Sequence, residues 1–357
     1  MNIGLIGLPN SGKTTIFNAL TNSTAPVSSY YADSKSQPNR AMLEVTDDRV
    51  ATLASIYVPQ KTTYAAIEMV DFPGLSQGSA REGFFSSSAM GLIKNTDALA
   101  IVIGHFQHDP LQRPSPLKDL AKLNEELLIS DLIIAEGRLE RIEKTCHRGK
   151  NTDLLEMEKK LLLRIIEHLS ANRPIRELNL EGRYEKMIRG FQFLTQKPSL
   201  VILNSDEISF GKNQNLLKEI QKDNRVIEFA GKFEMELAQV NDQEDIELFM
   251  ADIGIHESAR KRLCNAAYEM LGYISFFTVG SDEVRAWSIQ EGESVLAAAG
   301  AIHTDLARGF IRAECIAYDD LIAYGSEKKV SEKGLLRLEG KKYIVQDGNI
   351  LNIRFNI

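Results

Sequence analysis

The chain has 357 residues, with 42 Lys plus Arg against 49 Asp plus Glu and a formal charge of −7. That length exceeds one ordinary core and predicts two or three domains. With 43% apolar and 25% charged residues the composition is that of an average soluble protein, which excludes global disorder, a collagen-like repeat and a disulfide scaffold, and the acidic balance disfavours nucleic-acid binding by whole-protein charge.

The three cysteines, Cys146, Cys264 and Cys315, are far apart and lack a Cys-x-x-Cys spacing. They argue against a zinc site or disulfide framework and fit a reducing cytoplasm. The opening MNIGLIGLPNSGKTT turns polar too soon for a signal peptide, and no apolar run is long enough to predict a membrane span.

In chain order, residues 2–6 predict a buried strand, 7–12 a glycine-bounded turn and 13–20 a helix, the start of an α/β unit. Residues 22–43, rich in Ser, Asn, Tyr and Pro, predict a loop. Strands follow over 64–70, ending at Asp71-Phe72-Pro73-Gly74, and over 98–103, whose continuous apolar run suits a central parallel strand. From 117 to about 170 apolar residues recur at helical spacing on either side of a turn at 146–151, which predicts a helical hairpin with solvated charged faces. Strands return at 199–203 and 225–229, and a helix at 257–271. The last 85 or so residues predict a small α+β domain, closed by a hairpin of 341–346 and 349–357 about Asp347-Gly348.

The segment from Gly7 to Thr14 has the form G-x-x-x-x-G-K-[ST], a phosphate-binding loop, and it sits between a strand and a helix as that motif requires. Glycines let backbone N–H groups converge on phosphate oxygens, and the helix adds its positive end. Asn10, Ser11, Gly12, Lys13, Thr14 and Thr15 are therefore candidate nucleotide contacts. Lys13 supplies charge to the β- and γ-phosphates, and the Thr14 hydroxyl can ligate Mg²⁺. Asp71, ending the second strand, is a candidate Mg²⁺ ligand, and Gly74 can present its N–H to the γ-phosphate. Lys13 and Gly74 are the candidate catalytic groups. Leu75 stands where related enzymes place a water-orienting Gln, which predicts slow turnover.

Asn204-Ser205-Asp206-Glu207 follows the strand 199–203. GTPases carry N/T-K-x-D here. Glu207 is one methylene longer than that Asp, so ATP and GTP both stay open, with ATP favoured. Ala230 and Gly231, after the next strand, could offer backbone N–H groups to the base edge. His105, His108 and Trp287 read as loop and core residues, and the Lys/Arg cluster at 328–342 as a solvated face.

These motifs resemble the YchF family, also called Obg-like ATPases, among the translation-factor-related P-loop NTPases. GLPNSGKTT looks like its phosphate loop, DFPGLSQGS its second switch, NSDE its base motif, and AIHTDLARGFIRAE with KKYIVQDGNILNIRFNI its C-terminal TGS domain. The resemblance implies an α/β P-loop NTPase with a mostly parallel sheet, a helical hairpin insertion and a small β-grasp-like α+β domain. It places the nucleotide-binding domain at 1–116 and 197–272, the insertion at 117–196 and the TGS domain at 273–357. It also implies ATP or GTP hydrolysis with Mg²⁺, and a ribosome or RNA partner for the helical and TGS domains, with no membrane role. Asn10 looks like the Asn of potassium-activated relatives, which makes K⁺ a second candidate cation. Two departures stand out. Lys35, flanked by Ser34 and Ser36, occupies the place of the family's first-switch Thr, and residues 81–88 replace its Gly-Leu-Gly-Asn-Lys-Phe pattern. A nucleotide-binding scaffold with negligible hydrolysis and a metabolic kinase remain rival readings.

Overall fold

In a computed structural model of the chain, residues 1–22, 38–72, 87–107, 113–147 and 152–356 are described. The strands are β1 Asn2–Gly7, β2 Asn39–Val45, β3 Lys61–Thr63, β4 Ala65–Asp71, β5 Ala98–His105, β6 Ser199–Ser205, β7 Arg225–Phe229, β8 Tyr273–Thr278, β9 Glu283–Gln290, β10 Phe310–Ala317, β11 Arg337–Glu339 and β12 Asn349–Phe355. The helices are α1 Lys13–Thr21, α2 Asp48–Tyr57, α3 Ser87–Lys94, α4 Pro116–His147, α5 Asp153–Ser170, α6 Gly182–Ile188, α7 Gln214–Gln221, α8 Gly231–Leu237, α9 Gln243–Asp252, α10 Ala259–Leu271, α11 Val295–Ile302 and α12 Thr304–Arg308, followed by two short helices before β11. No helix among the described residues is long and apolar enough to cross a membrane.

The chain divides into two compact units, Met1–Ala41 with Glu68–Ala259, and Met42–Ile67 with Arg260–Ile357. The first sheet has the order β2-β4-β1-β5-β6-β7. Its β4, β1, β5, β6 and β7 run parallel. The apolar run of β5 is buried on both faces, as a central parallel strand demands. Ile101 and Ile103 of β5 and Val201 and Leu203 of β6 join Leu120, Leu123 and Leu127 of α4 in one core.

The predicted hairpin is present. Pro116 opens α4, where its missing N–H costs nothing. Thr152 caps α5, its hydroxyl accepting from Leu155 N at 3.3 Å. Leu161, Leu162 and Ile165 of α5 pack with Leu128, Ala135 and Ile142 of α4. Arg138 clamps Glu158 with two bonds of 2.8 Å across the two helices. Asp131, fully buried on α4, accepts from Leu194 N, Thr195 N and the Thr195 hydroxyl at 2.7–2.8 Å and so ties the hairpin to the turn that precedes β6.

The second sheet has the order β11-β10-β12-β8-β9-β3, and Phe276, Val295, Ala313 and Leu351 lie in its core. Trp287 packs against that core, stacked on Phe276. Two sequence expectations are corrected. The loop read over 22–43 gives way to strand β2 at Asn39, and α2 and β3, for which no element was predicted, join the C-terminal unit. Residues 341–346 form no hairpin with β12, because β12 lies between β10 and β8 and Ile344 makes only an isolated bridge to Ser294. Asp347 instead accepts from Arg49 at 2.7 Å and from Ser275 N at 2.9 Å, and Gly348 takes φ +80°, so the turn anchors a loop.

Candidate functional site

The loop between β1 and α1 is built on backbone geometry that only particular residues allow. Gly12 has φ +85°, and a Cβ there would lie 2.1 Å from Asn204 Nδ2. No side chain caps the N-terminus of α1, and its first turn has no acidic residue. The leading N–H groups of the helix therefore point out with their positive end uncompensated, the arrangement that receives phosphate oxygens. Asn10 is exposed and holds φ +62°, a left-handed conformation that Asn tolerates better than most residues.

Two clusters converge on this loop. In the first, Thr14 Oγ1 donates to Asp71 Oδ2 at 2.9 Å and Asn39 Nδ2 approaches the same oxygen at 3.4 Å. Asp71 Oδ1 is buried with no hydrogen-bond partner among the described residues. Burial pushes the Asp71 carboxyl up, opposed by Lys13, Thr14 and Asn39. Lys13 is buried, with its ammonium donating to Gly7 O at 3.3 Å; burial lowers its pKa, opposed by Asp71. A hydroxyl and a carboxylate oxygen side by side, one of them unsatisfied, are the hard oxygen donors a Mg²⁺ ion takes directly or through water. The residues present therefore fit that ion.

In the second cluster, Asn204 is fully used inside the protein. Its Nδ2 donates to Ser11 O at 3.0 Å and its Oδ1 accepts from Gly231 N at 3.1 Å. A Cβ on Gly231 would lie 2.4 Å from Asn204 Oδ1, so Gly is required there as well as at position 12. The N–H groups of Ala230 and Gly231, expected to face a base edge, are both engaged: Ala230 N donates to Glu234 Oε1 at 3.0 Å, and Gly231 N to Asn204. In this geometry Asn204, Ala230 and Gly231 form a frame beside the phosphate loop. Glu207 is exposed in the turn after β6, and Thr15 is half-buried in the first turn of α1.

Gly74, Leu75, Ser34, Lys35, Ser36 and His108 lie outside the described residues. Sequence reasoning missed Asn39 as a partner of Asp71. It also missed Phe106, which packs near Gly104 and Gly12. The Gly at position 104, at the end of a buried strand facing the phosphate loop, was the available signal.

Two family models match the chain. A model described as 50S ribosome-binding GTPase covers residues 2–136, and the YchF-GTPase C-terminal model, described as a protein of unknown function, covers residues 273–356. Over 99% of both chains, the protein is 34% identical to "Ribosome-binding ATPase YchF" of Bacillus subtilis and 36% identical to the protein of the same name in Pasteurella multocida.

The chain belongs to the YchF family.

The solved structure titled "Structure of the Schizosaccharomyces pombe YchF GTPase" superposes with a TM-score of 0.85 at 27% identity, covering 99% of this chain and 97% of that one. The α/β P-loop NTPase fold with a C-terminal YchF domain is thereby established, and the chain is a P-loop NTPase.

Proposed function

We propose that the protein is a slow, Mg²⁺-dependent nucleoside triphosphatase that works as a nucleotide-controlled switch on the ribosome. The Thr14–Asp71 pair, with Asp71 Oδ1 left unsatisfied beside a buried Lys13, is the observation that carries this reading. When bound, Mg²⁺ would supply positive charge that offsets the negative charge developing on the phosphates. Thr14 and Asp71 are the residues that would hold it.

The chain's own groups do the rest. The N–H groups of residues 10–15 cradle the phosphates, and the Lys13 ammonium turns from Gly7 O to the β- and γ-oxygens. Gly74 reads the γ-phosphate through its N–H. Asn204, with Gly231, fixes the loop at the distance the phosphates need, and Glu207 faces the base. Glu207 in place of the guanine-reading Asp supports ATP binding at least as tight as GTP binding. Leu75 offers no hydrogen bond to an attacking water, which supports slow turnover. Asn10 supports a K⁺ ion beside the phosphates. The relatives' name, ribosome-binding ATPase, supports ribosome association; the helical hairpin and TGS domains as the contact, and a cytoplasmic site of action, follow from the family resemblance alone.

Phosphate release from ATP and GTP over one hour, with Mg²⁺ and K⁺, tests the reading against Lys13→Ala. Release from the wild type that Lys13→Ala abolishes, with the fold intact by circular dichroism, is expected. Equal release from both proteins would reject the site, and no release from a wild type that binds nucleotide would favour the scaffold reading.

A further inference from the structure

Away from the phosphate loop, the segment between α5 and α6 borders a cavity of about 560 Å³. One wall is α4, another the end of α7, and the third the residues 172–177. Leu120, Leu127 and Ile220 form an apolar floor that belongs to the core of the first sheet. Leu128, in the core of the hairpin, lines the same space. The cavity thus lies where the NTPase core meets the hairpin core, and no residue of the phosphate loop lines it.

Arg173 and Arg176 stand on its rim. Arg176 is half-buried, and its backbone N–H donates to Thr195 O at 3.1 Å. Its guanidinium makes no side-chain hydrogen bond or ion pair with any described residue; burial lowers its pKa, opposed by Glu177 alongside. Three carboxylates also line the space: Glu177 beside Arg176, Asp223, and Glu219, which is held by Lys222 at 2.6 Å. The contrast with Arg138 is direct, since that guanidinium is met by both oxygens of Glu158. A guanidinium drawn out of water without an acceptor is costly, and its planar fork suits a carboxylate or phosphate.

We propose that this cavity binds a small organic anion, a carboxylate or phosphate carried on an apolar body. The anionic group would sit on Arg176 with Arg173, and the body on Leu120, Leu127 and Ile220. The volume is in the range of small-molecule sites, and an inorganic ion alone would leave the floor uncovered. A ligand seated there touches both cores at once, so it would stiffen the base of the hairpin.

The test is calorimetric titration of the full chain with phenyl phosphate, benzoate and benzyl alcohol, in the wild type and in Lys13→Ala, Arg176→Gln and Ala121→Trp. Ala121 is exposed on α4 at the cavity wall, so Trp there fills the space without entering the core. Saturable one-to-one binding of phenyl phosphate or benzoate is expected, at least tenfold tighter than benzyl alcohol and unchanged by Lys13→Ala. The preferred anion then tells phosphate from carboxylate ligands. Arg176→Gln should weaken binding at least tenfold, and Ala121→Trp should abolish it. Should Arg176→Gln not fold, Ala121→Trp decides. Absence of saturable binding by either anion, or wild-type affinity in Ala121→Trp, would overturn the proposal.

Discussion

Thr14 Oγ1 donates to Asp71 Oδ2 at 2.9 Å, joining the first turn of α1 to the end of β4 across 57 positions of chain. The bond brings a hydroxyl and a carboxylate, the two hard oxygen donors of the loop, to one point. It leaves Asp71 Oδ1 buried and, among the described residues, unsatisfied. A buried acceptor without a donor is rare in folded proteins and marks a place where an ion or water completes the structure.

Asn204 links the phosphate loop to the first residue of α8 with both ends of its amide. Asn204→Ala leaves Ser11 O and Gly231 N unpaired in a buried setting, a cost of about 1–3 kcal/mol. Thermal denaturation should record that loss, and ATP affinity should fall with it. An unchanged melting temperature would mean that the frame does not depend on this amide.

The carboxyl of Asp131 is pushed up to about 6 by burial, against the hydrogen bonds from Thr195 and Leu194 that favour its ionised form. A raised carboxyl pKa means that the native state binds the proton more tightly than the unfolded chain, so this residue's contribution to stability falls as pH rises from about 4 to about 6. In Asp131→Asn that slope is absent, and the new amide N–H meets the donors of Leu194 and Thr195. The variant should be less stable at pH 4, with the gap to wild type narrowing by roughly 2–3 kcal/mol toward pH 7. Denaturant melts across this range check it, and a gap that widens with pH would contradict the sign.

The phosphate loop was legible because its chemistry is local: Gly7, Gly12, Lys13 and Thr14 lie within eight positions and follow one apolar strand. The role of Asn204 was not, since its partners Ser11 and Gly231 are 193 and 27 positions away. The same distance in sequence misled the reading of Asp347-Gly348. An Asp-Gly pair between apolar runs signals a hairpin, yet the partners of Asp347 are Arg49 and Ser275, 298 and 72 positions away. Strand β2 was hidden because Asn39–Val45 is half-exposed and follows a Ser-rich stretch, so its period never rises above its surroundings. Helix α2 did carry a start signal, Asp47 accepting from Arg49 N at 3.0 Å, with Val50 and Leu53 buried three residues apart.

Glu207, exposed after β6, is the base-facing residue of the proposed site. ATP should bind at least as tightly as GTP, and Glu207→Asp should move the ratio toward GTP. Fluorescent-nucleotide titrations at saturating Mg²⁺ measure both. A strong GTP preference in the wild type, unaffected by Glu207→Asp, would remove Glu207 from the site.

Hydrolysis should run several-fold faster in K⁺ than in Na⁺ at equal ionic strength, and Asn10→Ala should erase the difference. Positive charge beside the β- and γ-phosphates stabilises the transition state, as an arginine finger does elsewhere. Equal rates in the two salts, from protein that binds nucleotide, would leave Asn10 as a loop residue only.

The central claim is that Asp71 and Thr14 hold the magnesium of a bound triphosphate. ATP affinity measured against Mg²⁺ concentration, in the wild type and Asp71→Asn, tests it most directly. The wild type should bind ATP at least tenfold more tightly with saturating Mg²⁺ than in its absence, a difference of about 1.4 kcal/mol or more. In Asp71→Asn that gain should largely vanish, while affinity without Mg²⁺ holds or rises as a buried negative charge near the phosphates is removed. Lowering the pH should erode the gain in the wild type, because burial already favours the protonated carboxyl. An Asp71→Asn variant with the full magnesium dependence of the wild type would contradict the account.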